Sequence, residues 1–294
     1  MRMLLAGSLL VAAWSHLVMP GFSAEKEAVP APDKSRYHLF NPTPREFLRE
    51  MSTDRPDKTE SPYTLDAGHF QCEMDVLTYT RDHDTYAGAD TRTSGYSVAP
   101  VNLKVGVLNR VDFQLILETW NRTRTEDRIA GITTRQSGFG DVIPRVKLNL
   151  WGDDGGTTAF ALMPFVKIPA NQHQLGNNAV EGGLILPLAV AMPLGFSMGL
   201  MTEFDLIRDG GARKYHPEFI NTVTFSRDLV GSLGGYVEFF SLVSKETDAR
   251  WIGTLDLGFT YGLSQNVQID AGINIGVTKS ADDLNPFLGV SFRY

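Results

Sequence analysis

Arg145 and Lys147 flank Val146 and are followed by Leu148, and Lys167 sits between Val166 and Ile168. Cations at alternate positions of an extended chain fall on one face, with aliphatic side chains on the other. Lys104 extends this basic set, and Glu203, Asp205, Glu238 and Asp256 form an acidic one further along the chain. The same polar face carries Glu73, Asp75, Asp112, Glu118 and Asp270, with Arg81 and Arg293. The chemistry open to such residues is electrostatic. Two walls of opposite potential orient a polar solute, or they pair directly and plug the space between them; the plainer reading is that each charge is simply solvated. A buried charge without a partner is costly, so some pairing is expected.

Covalent chemistry finds no support. A nucleophile needs a base within hydrogen-bond reach, and His38, His69, His83, His173 and His216 lack a serine motif such as G-x-S-x-G beside them. No catalytic residue and no cofactor are expected. No metal is expected either, because neither C-x-x-C nor H-E-x-x-H spacing occurs. Asp82-His83-Asp84 is a run able to touch a divalent ion, although such loop triplets are usually just solvated. Cys72 is the single cysteine, which excludes an intramolecular disulfide, and it alternates with the apolar Phe70 and Met74.

The elements that position these charges are strands. From Gly68 to the last residue the hydrophobic period is two, and Val267, Ile269, Ala271, Ile273, Ile275 and Val277 alternate without exception with Gln268, Asp270, Gly272, Asn274 and Gly276. Strands are expected near 69–82, 96–109, 111–126, 141–152, 156–169, 181–193, 195–207, 215–228, 231–244, 250–263, 266–278 and 284–294. Tight turns (Asn109-Arg110, Gly152 to Gly156, Pro193 to Gly195, Asp228 to Gly231, Ser264 to Asn266) alternate with longer polar segments, notably His83 to Gly95, Asp127 to Gly140 and Ala170 to Val180. A soluble sandwich usually has strands of about five or six residues. These run to about eleven or more, the length a tilted strand needs to cross a bilayer. The expectation is an all-β, transmembrane, antiparallel up-and-down β-barrel of about twelve strands, polar side inward, with both chain ends periplasmic and the long loops outside.

The termini fit export. An apolar stretch from Leu4 to Trp14 is followed by Gly21-Phe22-Ser23-Ala24, small at the positions a signal peptidase reads, so 1–23 reads as a signal peptide cleaved after Ser23, or alternatively after Ala24. Its loss takes the formal charge from −7 to −8, since it carries Arg2 and no acid. An acidic chain without a basic cluster argues against nucleic acid as a partner. Residues 24–66 form a proline-rich periplasmic segment, in which Thr43-Pro44-Arg45-Glu46 predicts a capped short helix near 44–51. Residues 67–294 form the barrel. The stretch Thr53 to Pro62 either lies inside it, where Asp54, Arg55, Asp57 and Glu60 would narrow and gate a pore, or is a solvated linker. Val290, Phe292 and Tyr294 end the chain in the lipid-facing series and read as the signal for barrel assembly machinery. Phe70, Trp251, Phe259 and Tyr261 suit aromatic girdles at strand ends. Outer-membrane lipid, lipopolysaccharide and a small-molecule solute complete the expected partners.

Ser52-Thr53-Asp54-Arg55-Pro56-Asp57-Lys58-Thr59-Glu60-Ser61-Pro62, then Gly68-His69-Phe70-Gln71, Gly138-Phe139-Gly140-Asp141 and Pro164-Phe165-Val166-Lys167-Ile168-Pro169, resemble a family of outer-membrane transporters named for the phenol meta-degradation pathway. The first segment is the specific one. The resemblance covers nearly all the mature chain and implies a barrel in the Gram-negative outer membrane with a channel role. It also implies an association with uptake of aromatic or poorly soluble compounds, and no catalytic residues. The function expected is passive passage of small solutes. The alternatives are a lipid-hydrolase-like barrel enzyme and a plugged structural or anchoring barrel.

Overall fold

The computed structural model describes residues 33–173, 175–209 and 214–294. The signal segment, both cleavage positions and the leader up to residue 32 lie outside the described residues. Fifteen strand segments follow one another: β1 (Phe70–Asp84), β2 (Thr91–Val98), β3 (Val101–Leu108), β4 (Val111–Leu117), β5 (Trp120–Asp127), β6 (Ile132–Gly138), β7 (Val142–Trp151), β8 (Thr158–Lys167), β9 (Glu181–Ala191), β10 (Phe196–Arg208), β11 (Tyr215–Val230), β12 (Leu233–Ser244), β13 (Ile252–Ser264), β14 (Val267–Gly276) and β15 (Leu284–Arg293). All pair antiparallel, and β15 pairs with β1 to close a twelve-stranded barrel.

Fifteen segments make twelve strands because three strands are broken midway. β2 and β3 are separated by Ala99, whose φ is 55°, and Pro100, which has no N–H for a ladder. β4 breaks from β5 at Glu118-Thr119, and β6 from β7 around Gly140, whose N–H donates to the Glu118 carbonyl (2.8 Å). Beyond the breaks, the far half of β1 pairs with β2, β2 with β5, and β5 with β6. The wall thus rises on one side as a four-stranded extension. Two of the expected long loops are therefore mostly strand: His83 to Gly95 shrinks to residues 85–90, and Asp127 to Gly140 to residues 128–131 before β6. The polar sequence there misled because this part of the wall lacks the apolar alternation of the strands below it, while its threonines still favour extended backbone.

The barrel is inside-out relative to a soluble protein. Lys147, Glu73, Glu238, Asp112 and Asp256 are fully buried, whereas Phe204, Leu255, Leu257 and Phe292 stay well exposed on the outer surface. Cys72 lies opposite Leu103 and Phe292, hence outward. Arg81 also points outward, contrary to expectation. An irregularity between Asp75 and Leu77 shifts the register of β1, so the residues beyond it change faces, as an inserted residue requires. Arg81 then pairs with the outward Leu284.

The helix expected over 44–51 is a single 3-10 turn, Arg45–Phe47. Thr43 does not cap it: its hydroxyl is buried without a hydrogen bond. Leu48 is already extended, and the Arg49 N–H is taken by the Asp66 carboxylate at 2.8 Å. Tertiary bonds have displaced the next turn's own ladder.

Candidate functional site

Residues 33–50 lie across the end of the barrel that carries the tight turns. Leu39 N–H donates to the Val107 carbonyl (2.9 Å), and Thr43 N–H to that of Ala67 (2.9 Å). Arg49 donates to Asp154 (2.9 Å) and to the Asn109 carbonyl (2.8 Å), both in turns, and its own carbonyl accepts from Arg293 (2.8 Å). Burial works against the Asp154 carboxylate, yet hydrogen bonds and charge from Arg49, with a further bond from Lys34, hold its pKa well below the usual carboxylate range.

From Ser52 the chain turns into the lumen, where Asp54, Arg55, Lys58, Thr59 and Glu60 each find a wall residue. Asp54 sits at the centre. Its carboxylate takes Lys104 Nζ at 2.5 Å, Lys147 Nζ at 2.6 Å and Arg145 at 3.5 Å, and its N–H donates to Glu73 (2.9 Å). Glu60 pairs with Arg145 at 2.5 Å. On the far wall Arg55 bridges Asp270 (2.7 Å) and Asp75 (2.8 Å). Lys58 reaches Asp256 (3.1 Å), and the Thr59 hydroxyl donates to Glu238 (2.5 Å). The plug therefore spans the bore, with Asp54 and Glu60 toward the basic wall and Arg55 and Lys58 toward the acidic one, where Asp57 also lies. These salt links join residues up to 215 positions apart.

Six of the eight wall charges expected from sequence line the lumen around or beside this plug: Lys104, Arg145, Lys147, Glu238 and Asp256 touch it, and Glu203 lies beside it on β10. The five that touch it are not solvated: Lys147 is fully buried and Arg145 is 5% exposed. Lys167 does not join the basic hub. It lies beyond the plug, paired with Glu181 and, at 4.0 Å, Asp141. Asp205 also lies beyond the plug on β10, and Gly183 makes room for it: a Cβ there would stand 2.0 Å from Oδ1. Asp57 enters the lumen with the plug and lines a crevice with Arg55 and Tyr236. Val290 and Phe292 face outward, and Tyr294 is exposed at the turn end, where its carbonyl accepts from Phe70 N–H (3.1 Å).

Sequence reasoning missed the apolar sector of the lumen. Ala159, Ala161 and Met163 of β8, Ile185 of β9 and Met201 of β10 are buried on the inner face, with Phe165 and Ile220 packed against them. The signal was present in unbroken apolar runs such as Phe160 to Val166, where both faces are apolar and period two cannot say which is inner. Two spaces flank the plug. A crevice of about 240 Å³ lies between it and β10–β14 near the turn end, and a cavity of about 470 Å³ opens on the other side, lined by Asp75, Thr78, Thr80, Glu118 and Asn121.

Residues 53–294 match the family described as "Putative MetA-pathway of phenol degradation". The chain belongs to that family. Among solved structures it is similar to the COG4313 outer membrane channel from Pseudomonas putida F1, with a TM-score of 0.63 at 9% identity over 83% of this chain and 100% of that one. It is also similar to the translocator domain of the autotransporter NalP from Neisseria meningitidis, with a TM-score of 0.52 at 10% identity over 76% and 88%. At these identities the likeness is one of fold. A search of curated protein sequences finds no match.

In this member of the family the wall is shaped for its plug. A Cβ on Gly106 would lie 2.1 Å from the Asp66 carbonyl oxygen, and one on Gly289 2.1 Å from an Arg55 guanidinium nitrogen. The first is backbone and cannot swing aside. Gly106→Ala is expected to cost about 1–3 kcal/mol as an overpacked contact and so to raise the undocked fraction of the plug roughly 5- to 150-fold. Limited trypsinolysis of the detergent-solubilised barrel, read at the Lys58–Thr59 bond, measures it; an unchanged cleavage rate rejects the tight fit.

Histidines give no catalytic pair among the described residues: His69 bonds to the Thr43 carbonyl, His83 to Asp90 and His173 to the Ser137 carbonyl. His83 and Asp84 diverge, the latter pairing with Arg250, so the Asp82-His83-Asp84 run does not converge. Asp209, His216 and Glu246 do bring metal-capable atoms within 4.8 Å of one another. There His216 is already engaged by Asp209 (2.6 Å) and Glu218 (3.3 Å).

Proposed function

We propose that the chain is an outer-membrane channel for passive passage of small solutes, held closed at its periplasmic end by its own residues 51–66. The observation that carries this reading is the nature of the plug contacts, which are ion pairs and hydrogen bonds to a polar wall. When both partners are released together, water replaces such contacts at modest net cost, because rehydration of the buried charges offsets their lost attraction, unlike a packed apolar core. The plug therefore undocks without the barrel unfolding. The apolar sector along β8–β10 supports aromatic or poorly soluble compounds as the solute class, because it offers a greasy inner surface beside a charged one.

The turn end, which also carries both ends of the barrel domain, faces the periplasm, and β15 with its terminal Tyr294 is read by the assembly machinery. No catalytic step is assigned. Planar-bilayer recording tests the channel: wild-type protein is expected to give small or intermittent currents, and protein lacking residues 51–66 larger steady ones. Silence from both supports an anchoring barrel and ends the channel reading. Liposome flux then tests the solute class, with an uncharged monoaromatic expected to pass faster than a sugar of similar size.

A further inference from the structure

The outer face of the extension carries a ladder of residue types that the strand register arranges in rows. The lowest row is Leu77, Val98 and Trp120. Next come Tyr79, Tyr96, Arg122 and Ser137, with the two tyrosine rings 4.9 Å apart. Above them stand Arg81, Ser94, Arg124 and Arg135, and then His83, Arg92, Glu126 and Thr133. Rows on one face are about 6.6 Å apart along a strand. Within roughly 20 Å the surface thus passes from aliphatic, through aromatic, to basic.

Five arginines, Arg81, Arg92, Arg122, Arg124 and Arg135, are exposed on this face against a single acid, Glu126. Arg124 pairs with Glu126 at 3.2 Å. The other four form no ion pair among the described residues. Arg81, Arg92 and Arg124 border a hollow of about 290 Å³ that is also lined by Tyr79, Ser94, His83, Asp82 and Glu126, so three cations there face two carboxylates. On a chain of net charge −7 such a cluster is unusual, and self-repulsion among unpaired guanidinium groups costs stability unless an anion is near.

We propose that this face binds the phosphate groups of lipid A in the outer leaflet. Guanidinium groups grip phosphate through paired N–H donors, and the aliphatic and aromatic rows place the arginines at the level where a headgroup begins. Acyl chains pack along Leu77, Val98 and Trp120, the sugars lie at the tyrosines, and the phosphates reach the arginine rows. The proposal does not depend on whether the barrel conducts.

Binding of purified bis-phosphorylated lipid A to the folded barrel in a neutral detergent, followed by native mass spectrometry, tests it. Wild-type protein is expected to retain lipid A and to hold the dephosphorylated form and phosphatidylglycerol much more weakly. The R81Q/R92Q/R124Q variant is expected to bind lipid A roughly a hundredfold more weakly, with heat-modifiable gel mobility confirming that it folds. Equal retention of the dephosphorylated lipid by wild-type protein overturns the proposal without recourse to any variant. So does equal retention of phosphatidylglycerol, or undiminished binding by the variant.

Discussion

Asp54→Lys is expected to open the barrel. The native carboxylate lies within 3.5 Å of Lys104, Lys147 and Arg145 in a pocket where its side chain is 3% exposed. A lysine there would place a fourth cation against three, with Glu73 and Glu60 left to balance them. Removing one partner of a buried ion pair typically costs about 3–5 kcal/mol, and adding like charge raises that. The plug can escape the cost by leaving, whereas the wall cations cannot. The barrel strands therefore form as before, conductance in planar bilayers rises, and Lys58 becomes accessible to trypsin. Pairing the change with Lys147→Glu restores one opposite contact and is expected to reseat the plug in part. Wild-type conductance from Asp54→Lys would falsify the view that this hub holds the plug.

The converse experiment acts on the other face of the same strand. Val146 and Leu148 of β7 are each 38% exposed on the outer surface. A lysine at the bilayer midplane of a barrel costs about 2–4 kcal/mol. Changing both to lysine thus removes a large part of the roughly 5–15 kcal/mol that stabilises a typical fold, so assembly is expected to fail, read as loss of the heat-modifiable folded band. Arg145→Glu with Lys147→Glu leaves the lipid face untouched and should still assemble. From sequence alone these two read as wall charges whose reversal would shift ion selectivity. In the structure they face Asp54 and Glu60, so their reversal should also expel the plug. If the inward pair blocks assembly while the outward pair is tolerated, the assigned facing is inverted.

The alternation around Val146 shows how much was legible in the sequence. Side-chain facing follows from period two wherever one side meets lipid, so strand identity, count and closure could be read from residue types. Where that constraint lapses, so does the reading. The start of β2 (residues 91–95) and the whole of β6 carry mostly threonine, serine, arginine and glycine and read as loop, whereas the far half of β1 up to Asp82 and β5 up to Glu126 fell within expected strands. A one-residue shift after Asp75 leaves no mark in composition, yet it turned Arg81 outward. The plug was half legible: its prolines and mixed charges suited an extended segment, but docking and solvation remained equal readings. The choice depends on which cations stand opposite Asp54, and those come from β3 and β7, 50 and more residues away. The short helix failed for a related reason, since Asp66 captures the backbone of Arg49.

The path of the leader has a mechanical consequence. Residues 33–50 cross the turn end, residues 51–66 dip into the bore, and the chain returns to the same mouth to begin β1 at Phe70. Both limbs of the inserted loop leave by one opening, so among the described residues no threaded end and no knot hold it. Tension on the upstream chain would first strip Lys34 and Arg49 from Asp154 and then peel the lumen contacts in order from Asp54 onward. The seam between β1 and β15 stays zipped throughout. The inserted segment is topologically a plain unthreaded loop: a tether that draws a stopper from a bottle whose neck never has to break.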